Sequence, residues 1–577
     1  MKKLFALLLA AIMVISMAAC APAEPAGTTT EAPKDTTAAK DNTTAATTTA
    51  GVDLSALPLV EPGTEKLTIG IPINATVLDY NDNYFTMWLE EQTGIDLEFT
   101  FFSSDAAEAK QQLALMIANK ETLPDIIFGV LDDSLRAEYG AEGLLVDLTD
   151  YFETSSYWFD QHRQVMSEFE ENYMWARLVD PNSGEIYVFP SPDYGANPVF
   201  MGGINETFAK KVGMDAAEID TVAELHEYLT KCLKEDPNGN GEADEIPWIN
   251  YNGYRSNIDL CLINAYVLCI DDYLWNCTDG EIWTPYDTDE YRQAMIEMNK
   301  WYKEGLISPM SYGGLDNAEM KALIDTPECY KVAIYGGNPN LVLNTDTNPG
   351  ATYRGLNVLQ DETGKGGYAV LLDAYTLGKN ASITSSCQNP ELAFRLLDFM
   401  CDKTAQQVAR YGEENVNWRW IDGKALGLQD SKNRPAGYEV LEDEWSKETK
   451  VNWHCNYIIC NASGSFEAGI GSGGVSFVLD PNSRTSIQYE NAWAQEGGKQ
   501  PEEPVYSLVY NTEENEVVSE YQKMFKEYVL QARAEMVTGV IDPSDDAQWA
   551  KYLDVLKANG LEDLLEAAQS AYDRMNG

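Results

Sequence analysis

The sequence predicts an α/β protein whose body is built as two lobes. Three observations point there: strand and helix signals alternate between residues 67 and 128, a second αβ pattern opens at Gly203, and about 515 of the 577 residues lie beyond a low-complexity N-terminus. A body of that length is too long for one core and suits two.

The first unit reads as a strand at Leu67–Ile71, a helix over 83–92 closed by Gly94, and a strand at Ile95–Phe101. A helix over 106–120 and a short buried strand over 125–128 complete a βαβαβ unit, which folds as a parallel sheet with helices on both faces. Ligands of such sheets lie off the carboxyl ends of the strands, so the loops Asn74–Asp82 and Val130–Ser134 are the first places for contacts. Gly184–Pro192 (GEIYVFPSP) is extended and punctuated by proline, and reads as a connector rather than a core element. The helix 222–233 carries a capping box, Thr221 with Glu224, and an apolar stripe of Leu225, Tyr228, Leu229, Cys232 and Leu233. A helix over 391–401 has Asn389 as N-cap and Pro390 in its first turn, and the last fifty residues are largely helical.

The N-terminus reads as a lipoprotein signal. Lys2 and Lys3 precede an apolar run from Phe5 to Met17, and Ala18-Ala19 leads to Cys20, the expected lipid attachment site and first mature residue. The run is too short to span a bilayer. Residues 20–62, rich in Thr, Ala and Pro, follow as a disordered stalk. The body is therefore expected outside the cytoplasmic membrane, attached only through the lipid.

Formal charge is −52, or −54 once Lys2 and Lys3 leave with the signal; this repels nucleic acid and anionic lipid surfaces. Ten cysteines include Cys20, and the other nine have no CxxC pair; Cys232 and Cys401 fall at apolar helical positions, while a Cys455–Cys460 bridge stays open. With three histidines and no HExxH, GxSxG or Walker A sequence, most zinc hydrolases, serine esterases and P-loop ATPases are excluded.

The sharpest local motif is the loop 236–247, DPNGNGEADEIP. Oxygen side chains at its first, third and fifth positions and glycine at its sixth wrap a chain around a hard cation, as in an EF-hand. Asp236, Asn238, Asn240, Asp244 and Glu245 offer side-chain oxygens and Glu242 its carbonyl, a set that fits a structural calcium ion. The bland reading is a polar turn after a helix. Phe, Trp and Tyr make up 11% of the chain, and flat rings with polar neighbours suit sugar. Candidate contacts are the rings of Tyr80, Trp158, Tyr335, Trp418 and Trp420, with Asp79, Asp132 and Asn338 for hydroxyl groups.

Taken together, DYNDNYFTMWLEEQTGIDLEF, LPDIIFG, GLLVDLTDYF, GEIYVFP, GINETFAKKVG, EDPNGNGEADEIP, NPELAFRLLDFMCD and ARYGEENVNWRWIDGK resemble family 1 extracellular solute-binding proteins of ABC importers, in the large lipoprotein branch similar to alginate-binding components. The resemblance runs from about residue 65 to the end. It implies a type II periplasmic-binding fold, with lobe 1 over 63–190 plus 370–455 and lobe 2 over 191–369 plus 456–577. It further implies capture of a carbohydrate, with the calcium loop away from the sugar and no enzymatic activity. The partners it implies are a two-subunit permease and a separate ATPase, and the binding component would be a monomer. The family's YGxEGxxW segment matches Tyr411–Trp418, with Asn415 where the family has glycine. A surface glycan adhesin or sensor, or a secreted glycoside hydrolase or lyase, is the alternative.

Overall fold

The computed structural model describes residues 53–164, 168–193, 197–198, 200–251, 256–271, 274–324, 331–338, 342–343, 353–364, 366–369, 371–372, 376–421, 436–442, 448–453, 468–470, 498–499, 501–503, 505 and 507–576. Cys20 and the Cys455–Cys460 pair lie outside these residues.

Strand β1 (Glu65–Pro72) leads through helix α1 (Tyr84–Thr93) to β2 (Ile95–Phe102), and through α2 (Ala106–Ala118) to β3 (Ile126–Phe128). The local rules hold. Asn83 caps α1 by accepting from Phe85 N–H, and Gly94 ends it at φ 76°, a left-handed position that favours glycine. β1 pairs in parallel with β2 on one side and β3 on the other. Helix α3 (Asp133–Ala141) follows. The stretch expected to be a connector is instead a strand, β4 (Phe189–Asp193), in the same sheet. Pro190 and Pro192 are compatible with it because β4 is the last strand in the order β2-β1-β3-β13-β4, and an edge strand leaves one side of its backbone unpaired.

β5 (Asn197–Pro198) leaves that sheet, and β6 (Gly202–Asn205) starts a second one. The helix Val222–Lys234 has the capping box of Thr221 and Glu224. β7 (Ile246–Ile249), the hairpin β8 (Asn276–Thr278) and β9 (Glu281–Trp283), β10 (Val332–Gly336) and β11 (Tyr353–Gly355) follow. The second sheet runs β11-β6-β10-β7, with β7 and β10 parallel. β12 (Leu371–Leu372) pairs with β5, and β13 (Thr376–Ile383) returns to the first sheet, antiparallel to both β3 and β4. β14 (Trp418–Trp420), β15 (Ala436–Val440) and β16 (Ala468–Ile470) form a small third sheet. The helices Thr512–Thr538, Asp546–Ala558 and Leu561–Asn576 close the chain.

Two large hydrophobic cores result. One draws on residues between Leu67 and Phe189 and between Ala381 and Trp453, the other on residues between Phe200 and Leu359 and between Val505 and Ala568. The folded body also starts earlier than the composition implied. Leu59 and Val60 pack on the first core, Val60 N–H reaches Thr93 O (3.2 Å), and Leu54 O accepts from Arg395 (2.6 Å), because LSALPLV supplies apolar side chains that the Thr-rich run lacks. Cys232, Cys261, Cys269, Cys277, Cys387 and Cys401 are buried free thiols. Among the described residues no helix is long and apolar enough to cross a membrane.

Asp398, on the helix Pro390–Phe399, is fully buried and accepts from the backbone N–H groups of Tyr157 (2.9 Å), Trp158 (3.2 Å) and Phe159 (2.8 Å). Burial pushes its carboxyl up to about 6 from 3.8, against the pull of those donors. A folded-state pKa above the unfolded one gives stability that is complete below about pH 4 and lost as pH rises through about 6. Urea melts from pH 4 to 7 should show the wild type losing up to ~3 kcal/mol relative to Asp398→Asn over that window; a difference that stays flat refutes the assignment.

Candidate functional site

Ligands of such α/β sheets lie off the carboxyl ends of the strands, and polar side chains gather in the loops there. In the first sheet, β1 runs into the loop 73–83. There the Asp79 carboxylate accepts from Asp82 N–H (3.2 Å) and Asn81 N–H (2.9 Å), which together hold it below the usual carboxylate range. β3 runs to Asp132, which caps α3 by accepting from Leu135 N–H (2.9 Å) and meets Lys110 Nζ at 2.5 Å. Both carboxylates thus fix local backbone while staying partly exposed.

A segment that the sequence reading passed over holds this end together. Thr449 N–H donates to Thr76 O (2.8 Å) and Leu78 N–H to Thr449 O (2.9 Å). The side-chain amide of Asn83 donates to Asn452 O (2.9 Å), and that of Asn452 to Arg410 O (2.8 Å). Residues 449–452 therefore tie the loop after β1 to Arg410, which immediately precedes the turn Tyr411–Trp418. In that turn Asn415 sits at φ 64°, the left-handed region that glycine takes without cost, and asparagine is among the side chains that tolerate it best. The departure from the family pattern leaves the turn's hydrogen bond intact: Asn415 N–H donates to Trp418 O at 2.5 Å.

Most of the candidate rings belong to the cores. Tyr80 is buried, its ring 5.6 Å from Phe99, 5.5 Å from Phe101 and 6.3 Å from Trp453. Trp158 is buried 5.0 Å from Phe399, and Tyr335 is fully buried 5.0 Å from Tyr353. Trp418 is fully buried with its Nε1–H donating to Gly412 O (2.9 Å). Large rings gain more by leaving water than by waiting for a ligand, and composition alone does not separate the two fates. Trp420 stays half-buried, 5.0 Å from Trp418, with Lys403 Nζ 5.3 Å over its ring. Among the described residues, an exposed ring that the sequence reading missed is Phe101, 44% exposed near the end of β2.

In the second sheet, β7 runs into Asn250 and Tyr251, and β10 into Gly337 and Asn338. Asn250 donates to the fully buried Asp259 carboxylate (2.6 Å), which also accepts from the Tyr312 hydroxyl (3.1 Å). Burial raises the Asp259 pKa. The backbone is crowded here. A Cβ on Gly336 would lie 2.1 Å from Ser256 O, and one on Gly337 (φ 118°) 2.2 Å from the Tyr251 ring. Asn250 Oδ1 and the Tyr251 hydroxyl are buried without a hydrogen-bond partner among the described residues. Asn338 is half-buried, its carbonyl accepting from Val342 N–H (3.3 Å).

The loop 236–247 lies at the opposite, amino end of β7 and β10. Asp236 accepts from the N–H groups of Gly239 (2.8 Å), Asn240 (3.1 Å) and Gly241 (2.8 Å). Asn238 Oδ1 accepts from Asn240 N–H (3.0 Å) and Asn240 Oδ1 from Glu242 N–H (2.7 Å), which curls the chain. The amides of Asn238 (2.9 Å) and Asn240 (3.1 Å) converge on Asp244 Oδ1, and Glu245 is buried with Oε1 near Asn238 N–H (3.4 Å). Lys331 Nζ lies 2.5 Å from Asp244 Oδ2, and with the Asn238 amide it holds that carboxyl below its usual range. No three His, Cys, Asp or Glu side chains gather as metal ligands among the described residues. Carboxylate, amide and carbonyl oxygens are the donor types that a hard cation takes, and here the carboxylate and amide oxygens accept from the loop's own N–H groups and Lys331.

No protein-family model matches the chain. It is 23% identical over 543 residues to the fructooligosaccharide ABC transporter substrate-binding protein FusA of Streptococcus pneumoniae, covering 90% of this chain and 91% of FusA. A solved extracellular solute-binding protein from Bifidobacterium longum subsp. infantis aligns with a TM-score of 0.69 at 17% identity, over 90% of this chain and 99% of that one. The fold is that of the solute-binding proteins. An HMO-binding, ABC-transporter-associated solute-binding protein of Bifidobacterium longum infantis shares it at a TM-score of 0.66 and 19% identity, over 89% and 99% of the chains. So does an EF-hand mutant of the S. pneumoniae protein FusA in complex with fructo-nystose, at 0.61 and 18%, again over 89% and 99%. The solute-binding fold expected from the sequence motifs is thus present, and so is the resemblance that predicted it.

The turn gives a direct test. Asn415→Gly should leave thermal stability unchanged or slightly raised, whereas Asn415→Val should cost about 1–2 kcal/mol, since a β-branched residue is strained at positive φ.

Proposed function

We propose that this chain is the substrate-capture subunit of an ABC importer, holding an oligosaccharide between two lobes and releasing it unchanged to a membrane permease. Likeness to FusA over nine-tenths of both chains carries the reading, and the polar carboxyl ends of both main sheets agree with it. Two cores drawn from alternating stretches of chain accord with lobes over 63–190 plus 370–455 and over 191–369 plus 456–577, crossed by the β4–β5 and β12–β13 segments. Ligand that prefers the closed arrangement drives closure by its differential affinity. A lipid on Cys20 anchors the chain at the outer face of the cytoplasmic membrane, and a separate ATPase supplies the energy.

We further propose that the loop 236–247 holds a structural calcium ion through Asp236, Asn238, Asn240, Glu242, Asp244 and Glu245. Calcium there would neutralise the loop's carboxylates and fix the amino ends of β7 and β10, far from any sugar. The all-oxygen donor set supports this, as does the existence of a solved EF-hand mutant of FusA.

A ligand stabilises the state that it binds, so the matching glycan in a thermal-shift panel should raise the melting temperature and, in solution scattering, shrink the radius of gyration. Mass analysis of the recovered glycan should find it intact; shortened sugar would favour a hydrolase or lyase, and binding with an unchanged scattering profile an adhesin. Phe101→Ala should weaken binding roughly 2- to 10-fold if its exposed ring stacks on sugar, with stability little changed. Trp158→Ala should instead cost about 3–5 kcal/mol of stability, because its ring is core. Chelation should lower the melting temperature of the wild type and leave Asp236→Ala unaffected.

A further inference from the structure

The cation loop contains a positive charge of its own. Asp244 reaches Lys331, which immediately precedes β10, and Lys331 O accepts from Ile246 N–H (2.7 Å) at the start of β7. The ammonium is therefore delivered by the strand beside the loop, held in register by the β7–β10 ladder. It lies on the carboxylate toward which the amides of Asn238 and Asn240 also donate. Three N–H donors thus take up oxygens that a divalent ion would need, and the ammonium is the strongest rival because it carries full charge.

We infer that Lys331 is an internal counter-cation of the loop 236–247: it neutralises Asp244 when no metal is bound, and a divalent cation must displace it to bind. This inference rests on the calcium reading above and adds a residue that sets the affinity. A fixed charge near an incoming dication repels it, and at separations of a few ångströms near a protein surface the effect is on the order of tenfold or more in affinity. The same ammonium lets the four acidic side chains of the loop sit together without metal, so the loop keeps its shape when calcium is scarce.

Calorimetric titration of calcium chloride into the full metal-stripped chain tests the inference, using the wild type, Lys331→Met and Lys331→Arg, with melting curves in chelator and in excess calcium. Lys331→Met should bind calcium at least about tenfold more tightly. It should melt lower than the wild type in chelator and gain more on adding calcium. Lys331→Arg, which keeps the charge, should stay near the wild type in both readouts. If wild type and Lys331→Met bind calcium equally, or Lys331→Met binds more weakly, Lys331 is not a competitor and only this inference falls. If neither binds calcium, the calcium reading falls and takes the inference with it. A Lys331→Met chain that melts as high as the wild type in chelator overturns the counter-cation role even where affinity changes.

Discussion

Burial of apolar surface in two separate places governs this molecule. Among the described residues, the core beneath β1, β3 and β13 takes nothing from residues 200–359, and the core around β6, β7 and β10 takes nothing from 67–189. Close packing makes each core resist deformation. Motion in a chain built this way concentrates where few side chains must repack. On the capture reading, that is what allows a ligand to change the spacing of two rigid parts without disturbing either.

Polar groups divide along the same lines. At the carboxyl ends of the strands, Asp79, Asp132 and Asp259 spend their hydrogen-bonding capacity on backbone N–H groups, a lysine and neighbouring side chains. These contacts fix the local backbone of the loops. At the amino ends of β7 and β10 the acidic loop has the same economy, with its own N–H groups and Lys331 answering the carboxylates. Ligand and cation would thus meet the same two parallel strands at opposite ends, roughly 15 Å apart for strands of four to five residues.

Much of this was legible locally. The Gly94 end of α1, the box at Thr221 and Glu224, and the spacing of DPNGNGEADE act within a few residues, so a one-dimensional reading finds them. What it missed involves distant partners. β13 enters the first sheet some 250 residues after β3, antiparallel, and turns the proline-marked β4 into a sheet strand. Thr449–Asn452 gains its importance only through contacts with residues near 80 and 410. The rings of Tyr80, Trp158, Tyr335 and Trp418 were chosen for chemistry, and their fate was decided by depth. Phe101 was overlooked because strand alternation places it in line with buried residues, and only the end of the sheet leaves it uncovered.

The buried thiols bear on how such a chain matures. Burial pushes the thiols of Cys232, Cys261, Cys269 and Cys387 up to about 12, which disfavours the reactive thiolate at each of them. Thiol–disulfide exchange needs that anion and access to it, and the finished interior withholds both. While the chain is folded, these four thiols are therefore shielded from disulfide exchange whatever the redox potential around them.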